Sequence, residues 1–98
     1  MRTLSDDLTD PQTRPYFIWD EDVSLRQFED RLHSQNEKTR LQALAKLLRE
    51  ARDIDVWRFV TPQEVADALP SLERKLGRRQ AFWSFLMEGW GRLGIVQR

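Results

Sequence analysis

Few residues of this sequence could do chemistry on a substrate. The chain has one histidine, His33, and no cysteine. A nucleophile activated by histidine would therefore have a single possible base, and thiolate metal sites and disulfides are excluded. His33 falls near the C-terminal end of a predicted helix, where a side chain that complements the helix dipole is common. We expect no catalytic role for it.

The acidic residues are better explained as helix caps than as reactive groups. The segment Asp20-Glu-Asp-Val-Ser24 begins like a calcium-binding loop, but Leu25 and Arg31 stand where the required glycine and the closing acid should be. Asp53 and Asp55 precede a short predicted helix, which favours capping. No glycine-rich loop opens a helix in the manner of a phosphate-binding loop. The sequence therefore predicts no enzyme, no catalytic residue, no metal and no cofactor.

Length and composition point to one globular domain. The chain has 98 residues, of which 40% are hydrophobic and 33% charged. A chain of this size can bury one core but has little room for a deep catalytic cleft. No apolar run approaches the roughly 20 residues of a membrane span, and the start lacks the apolar core of a signal peptide. We expect a cytoplasmic protein with no membrane segment.

The charges are distributed unevenly along the chain. Residues 1–37 carry nine acids and four bases, whereas residues 38–98 carry seven acids and twelve bases. This distribution is compatible with ordinary surface charge on a helical domain. It is equally compatible with a basic face that meets nucleic acid or an acidic partner. Charge alone does not decide between these interpretations.

The elements that must position any binding residues are helices. Capping boxes at Ser24 and Thr61 start two of them, and a third start lies at Ser34 or Asn36. Helices are predicted over about 25–33, 34–52, 61–69 and 78–92, with a turn at 71–76 and a short helix, or alternatively a strand, within 53–60. The predicted fold class is all-α: a small bundle of four to six short helices in antiparallel pairs, similar to units of a helical repeat.

The N-terminal part is predicted to be non-helical. Residues 1–13 are polar and acidic, which predicts a flexible polar N-terminal arm, and residues 14–98 are expected to form a single helical domain. Pro15 then favours an extended backbone, in which the large apolar side chains of residues 16–19 point alternately to opposite sides. We therefore expect the apolar side chains on both sides of this extended arm to be buried by other residues.

The last predicted helix is apolar on two faces. Phe82, Phe85, Leu86 and Leu93 share the face that we expect to point to the core. A second face, which includes Trp83, would pack either on the arm at residues 16–19 or on another protein. Large aromatic side chains and methionine are common anchors of protein interfaces. The predicted partner-binding residues are Tyr16, Phe17, Trp19, Trp57, Trp83, Met87 and Trp90.

An alternative is a small DNA-binding regulator with a helix-turn-helix. In this interpretation the capped helix at 61–69 precedes a recognition helix that starts with Arg78, Arg79 and Gln80, which would contact base edges. Arg74 and Lys75 would hold phosphates. The connection between the two helices is longer than the tight turn of that motif, which counts against this alternative.

Three sequence strings resemble a known family. They are Arg14-Pro-Tyr-Phe-Ile-Trp-Asp20, Arg52-Asp-Ile-Asp-Val-Trp-Arg-Phe59 and Trp90-Gly91. Together they resemble small bacterial proteins with an N-terminal Pro-Tyr-Phe-x-Trp-Asp motif, over about residues 14–91. Members of that family are often encoded beside nucleotidyltransferase-like toxins of the abortive-infection type. The resemblance implies an antitoxin or an accessory partner of such a toxin, and it supplies no catalytic residues. It leaves the oligomeric state open.

Overall fold

The computed structural model describes residues 3–72 and 74–97, which form a mostly helical domain. The prediction of a mostly helical fold is confirmed, and residues 53–56 are a helix rather than the alternative strand. A two-stranded parallel sheet was not predicted. The elements are β1 (Leu4–Ser5), β2 (Arg14–Pro15), α1 (Leu25–Leu32), α2 (Glu37–Glu50), α3 (Asp53–Val56), α4 (Pro62–Ala68), two 3₁₀ turns (Leu69–Leu72 and Gly77–Arg79) and α5 (Gln80–Arg92).

The helix starts follow the capping signals in the sequence. At α1, the Ser24 hydroxyl accepts a hydrogen bond from the Gln27 amide at 3.2 Å, and the Gln27 side chain accepts one from the Ser24 amide at 2.9 Å. At α2, the cap is Asn36, whose side chain accepts from the Thr39 amide at 3.0 Å. Each cap satisfies amide groups that have no partner inside the helix.

The capping box of α4 gives a first prediction. The Thr61 hydroxyl accepts from the Glu64 amide at 3.1 Å. Replacing Thr61 by alanine should therefore lower the free energy of unfolding by about 1 kcal/mol, measured by urea denaturation. The control is Thr39→Ala, because Thr39 uses only its backbone amide in the cap of α2. Equal losses in the two variants would contradict the assignment of Thr61 as a cap.

The N-terminal residues are attached to the body, in contrast to the flexible arm predicted for 1–13. β1 pairs with β2, and the Tyr16 amide donates to the Ser5 carbonyl at 2.9 Å. The first two amides of α1, those of Leu25 and Arg26, donate to the carbonyls of Thr13 and Pro11 at 2.7 and 3.0 Å. Backbone hydrogen bonding to a free helix end thus orders residues that have little apolar content. Residues 1 and 2 lie outside the described residues.

The core surrounds α2, the longest helix. Leu44, Leu47 and Leu48 are buried on it. Phe17 and Ile18 are buried in the same core, but the segment after β2 is a turn, in which the Ile18 amide donates to the Pro15 carbonyl at 3.1 Å, and not the extended arm that was predicted. The ring of Phe17 meets that of Phe28 edge-on, with 5.1 Å between centroids. This chain itself therefore covers Phe17 and Ile18, whereas Trp19 at the end of the segment stays exposed.

No helix among residues 3–72 and 74–97 has the length and apolar character needed to cross a membrane.

Candidate functional site

Within residues 3–72 and 74–97, no group of three or more histidine, aspartate and glutamate side chains could hold a metal ion. His33 is exposed at the C-terminal cap of α1, where its backbone amide donates to the Glu29 carbonyl at 3.1 Å.

Tyr16 and Asp55 form a contact between two of the sequence strings that carry the family resemblance, residues 14–20 and residues 52–59. The Tyr16 hydroxyl donates to Oδ2 of Asp55 at 2.6 Å and accepts from the backbone amide of Arg52 at 2.8 Å. Nε of Arg52 donates to the same Asp55 oxygen at 2.9 Å. Tyr16 therefore connects the segment after β2 to the residue that follows the end of α2. Asp55 takes part in this contact and does not cap α3, so the capping role predicted for Asp55 is wrong.

The surroundings of Asp55 shift its acidity. Burial opposes the charged form, but hydrogen bonds from Tyr16 and Arg52, together with the positive charges of Arg52 and Arg58, outweigh burial and lower the pKa of Asp55. Burial and the hydrogen bond to Asp55 raise the pKa of Tyr16. Asp55 is therefore ionised and Tyr16 protonated near neutral pH. This is the arrangement in which Tyr16 donates and Asp55 accepts.

Trp83 is a structural residue in a cluster of three tryptophans that is centred on Trp57. It is fully buried, and its indole N–H donates to the Leu48 carbonyl at 2.8 Å. Leu48 lies in the last turn of α2, whose carbonyls have no partner within the helix. The ring of Trp57 lies edge-on to Trp83, at 5.7 Å between centroids, and Trp90 lies 5.5 Å from Trp57. Trp57, Trp83 and Trp90 therefore pack on one another.

These placements correct part of the predicted binding surface. Phe17, Trp83 and Met87 are buried in the core, so they cannot contact a partner while the chain is folded. Tyr16, Trp57 and Trp90 are half-buried and already engaged in contacts within the chain. The face of α5 that includes Trp83 was predicted to pack on the arm at residues 16–19 or on another protein. It packs within this chain, on Trp57 and the Leu48 carbonyl. Partner binding as such stays a prediction.

Trp19 differs from the other tryptophans because 58% of its surface is exposed. The ammonium of Lys46 lies 5.1 Å from the centre of its ring, in a cation–π contact. The same ammonium forms an ion pair with Asp20 at 2.7 Å. Trp19 therefore remains a candidate for contact with another molecule.

The face of α5 predicted to point to the core does so only in part, since Phe82 and Leu86 are half-buried against the core but Phe85 and Leu93 are not. Phe85 is 73% exposed and Leu93 is 74% exposed, whereas Trp83 and Met87 are buried. The reason lies at the end of α2 and just after it: the Leu48 carbonyl accepts a hydrogen bond from Trp83, and Trp57 provides a ring contact. A sequence pattern of apolar spacing cannot distinguish two apolar faces of one helix. The outward face consists of Phe82, Phe85, Leu86, Gly89 and Leu93, and we call these five residues the α5 stripe.

The α5 stripe is continuous along the helix. Its members are three or four residues apart, which places them on one side. Phe82 and Leu86 are half-buried, so they connect the exposed side chains to the core. At Gly89, nothing in the described part of the chain lies within 4 Å of where a Cβ would be. Glu88 and Arg92 border the stripe and form an ion pair at 3.2 Å.

The helix-turn-helix alternative does not fit the described geometry. The described residues between α4 and α5 form two 3₁₀ turns, so the connection differs from the tight turn of that motif. Arg79 forms an ion pair with Asp53, and its guanidinium lies 4.7 Å from the ring centre of Phe82. Gln80 donates to Ser84 at 3.0 Å. Arg79 and Gln80 are thus held within the fold, whereas Arg74, Lys75 and Arg78 are exposed.

The comparisons with known proteins assign no family. No protein-family model, curated protein or solved structure shows a significant match to this chain, so its function is argued from the geometry described above.

Proposed function

We propose that this protein is a non-enzymatic protein-binding module whose contact surface is the α5 stripe. The observation that supports the proposal best is the exposure of Phe85 and Leu93 on the same side of one helix. Single exposed apolar residues are common on soluble proteins, but a continuous apolar surface marks interaction sites. Burying each of these side chains against a partner is favourable by about 1.5 to 3 kcal/mol.

The shape of the stripe fits an amphipathic helix of the partner. Phe82, Leu86, Gly89 and Leu93 follow one another at intervals of four, three and four residues, which is the spacing of residues that pack against a second helix. The missing side chain at Gly89 leaves room for a partner side chain near the middle of α5. Glu88 and Arg92 at the border carry opposite charges, so a partner helix with the complementary pair would be aligned in one direction.

The identity of the partner is a proposal based on the family resemblance. Proteins with the Pro-Tyr-Phe-x-Trp-Asp motif are often encoded beside nucleotidyltransferase-like toxins. We therefore propose a toxin of that kind as the partner and a role as a cytoplasmic antitoxin or accessory subunit for this chain. The antiparallel, repeat-like pairing of helices predicted from the sequence is part of this proposal.

Substitutions in the stripe should separate binding from folding. Phe85→Ser and Leu93→Ser should each weaken the complex with the neighbouring gene product about 30-fold, measured by isothermal titration calorimetry, because interface anchors contribute about 2 kcal/mol. Stability should change by less than about 0.5 kcal/mol, since both side chains are mainly exposed. The control is Ile54→Ser, because Ile54 on α3 is 74% exposed but lies outside the stripe.

Two outcomes would count against this function. If Ile54→Ser weakens the complex as much as Phe85→Ser does, the stripe is not the specific contact. If the chain alone sediments as a dimer and Phe85→Ser makes it a monomer, the occupant of the stripe is a second copy and not a different protein.

A further inference from the structure

A second surface of the molecule, which shares no residue with the α5 stripe, is a basic groove. It is an open cavity of about 770 Å³ between the segment after β2, the helices α1 and α2, and residues 74–75. Its lining contains five basic and two acidic side chains: Arg31, Lys46, Arg49, Arg74 and Lys75 against Asp20 and Glu21. We call this cavity the basic groove.

Both acidic side chains of the basic groove are already paired. Asp20 binds Lys46 at 2.7 Å, and Glu21 binds Arg31 at 3.2 Å. Among the described residues, Arg74 and Lys75 have no acidic partner, and both are exposed. Arg49 is paired with Glu50 at 3.1 Å, so the excess positive charge of the groove lies at Arg74 and Lys75, where it favours a negatively charged ligand.

The basic groove is assembled from segments that hold one another. Nη1 of Arg49 donates to the Lys75 carbonyl at 3.0 Å, which ties α2 to residues 74–75. The side chain of Arg14, which is buried, donates to the carbonyls of Trp19 and Glu21 at 3.1 Å each. The segment that carries Trp19 is thereby held at the edge of the groove before any ligand arrives.

Trp19 adds an aromatic surface to these charges. More than half of its surface is exposed, and Lys46 connects it to the groove by lying within 5.1 Å of its ring centre. An exposed aromatic ring beside a positively charged groove is the combination by which proteins hold unpaired nucleotides: the ring stacks on a base while the cations follow the phosphates. An acidic peptide would use the cations but would gain less from the ring.

We propose that the basic groove binds single-stranded nucleic acid, with a base stacked on Trp19 and phosphates held by Lys46, Arg49, Arg74 and Lys75. Double-stranded nucleic acid fits less well, because its bases are stacked on one another and offer no free face to Trp19. The proposal differs from the helix-turn-helix alternative in its residues: Arg78, Arg79 and Gln80 are not part of the groove lining.

The test is fluorescence anisotropy with a labelled 20-nucleotide thymidine strand, over a series of salt concentrations. Trp19→Ala should weaken binding at least about fivefold, and Trp19→Phe should restore part of the loss because a ring is present again. Lys75→Ala should lower the slope of log K against log salt by about 0.7, since one phosphate contact is removed. The matched control is Arg78→Ala, an exposed arginine outside the groove, which should change affinity less than twofold.

Several results would overturn the proposal. They are absence of binding at 50 mM salt, binding of a duplex as tightly as the single strand, and a loss in Arg78→Ala equal to that in Lys75→Ala. Displacement of the strand by polyglutamate at the same charge concentration, with no effect of Trp19→Ala, would identify an acidic polypeptide as the ligand instead. Circular dichroism and the melting temperature of each variant establish that it is folded.

Discussion

Replacing Trp83 by alanine should lower the free energy of unfolding by about 3 to 5 kcal/mol, the largest effect of any substitution considered for this protein. Trp83 is fully buried, and its removal leaves a cavity beside Trp57 and Phe82. It also leaves the Leu48 carbonyl at the end of α2 without its donor. A domain of this size is stable by about 5 to 15 kcal/mol, so the variant should be close to unfolding at 37 °C.

Denaturation by urea, followed by circular dichroism, measures this effect, and two further variants make it interpretable. Trp83→Phe retains a ring and loses the N–H group, so it should cost less than Trp83→Ala but remain clearly destabilised. Trp19→Ala removes the same type of side chain from an exposed position and should change stability by less than about 1 kcal/mol. If Trp19→Ala and Trp83→Ala were equally destabilising, the assignment of Trp83 to the core would be wrong.

Removing the hydroxyl of Tyr16 should be the second large effect. In Tyr16→Phe, the Arg52 amide loses its acceptor and Asp55 loses its shortest hydrogen bond. We expect a loss of about 1 to 3 kcal/mol, because the buried Asp55 loses its hydrogen bond from Tyr16 and keeps the one from Arg52, and the Arg52 amide loses its acceptor within the chain. Asp55→Asn should cost a similar amount. The double variant should cost less than the sum of the two, since both substitutions break the same contact.

The same contact predicts how stability depends on pH. The pKa of Asp55 in the folded chain lies below 3.8, its ordinary value. Its contribution to stability is therefore fully present above the pKa of the unfolded chain and is lost as the pH falls below 3.8 through the folded pKa. Asp7 and Asp20 have lowered pKa values as well, so the wild type and Asp55→Asn must be compared. The difference in their free energies of unfolding should shrink between pH 5 and pH 2.5, whereas a constant difference would contradict this role of Asp55.

Local signals in the sequence were sufficient to predict most helices. Ser24 and Thr61 cap α1 and α4 as predicted, because a capping box depends only on residues within one turn. The attachment of residues 4–13 was not predictable in this way. It depends on hydrogen bonds from the Leu25 and Arg26 amides to carbonyls more than ten residues earlier in the chain.

The candidate site was harder to predict because burial is a property of the whole fold. Aromatic content singled out Trp19 and Trp83 equally, yet one is exposed and the other is fully buried. Periodicity identified two apolar faces on α5 but did not predict that Trp83 and Met87 are fully buried while Phe85 and Leu93 are exposed. The feature that favours burial of Trp83 is the Leu48 carbonyl, which accepts a hydrogen bond from the Trp83 indole although the two residues are 35 positions apart in the sequence. The spacing of apolar residues carries no information about a hydrogen-bond acceptor at the end of another helix.

The most direct test of the central claim is site-specific photo-cross-linking in the complex with the neighbouring gene product. A photoreactive phenylalanine derivative at position 85 lies in the α5 stripe, and the same derivative at position 54 lies on an equally exposed part of α3. We predict a cross-link to the partner from position 85, located in a helix of that partner, and none from position 54. Equal cross-linking from both positions, or an intact complex with a cross-link from position 54 alone, would contradict the assignment of the α5 stripe as the binding surface.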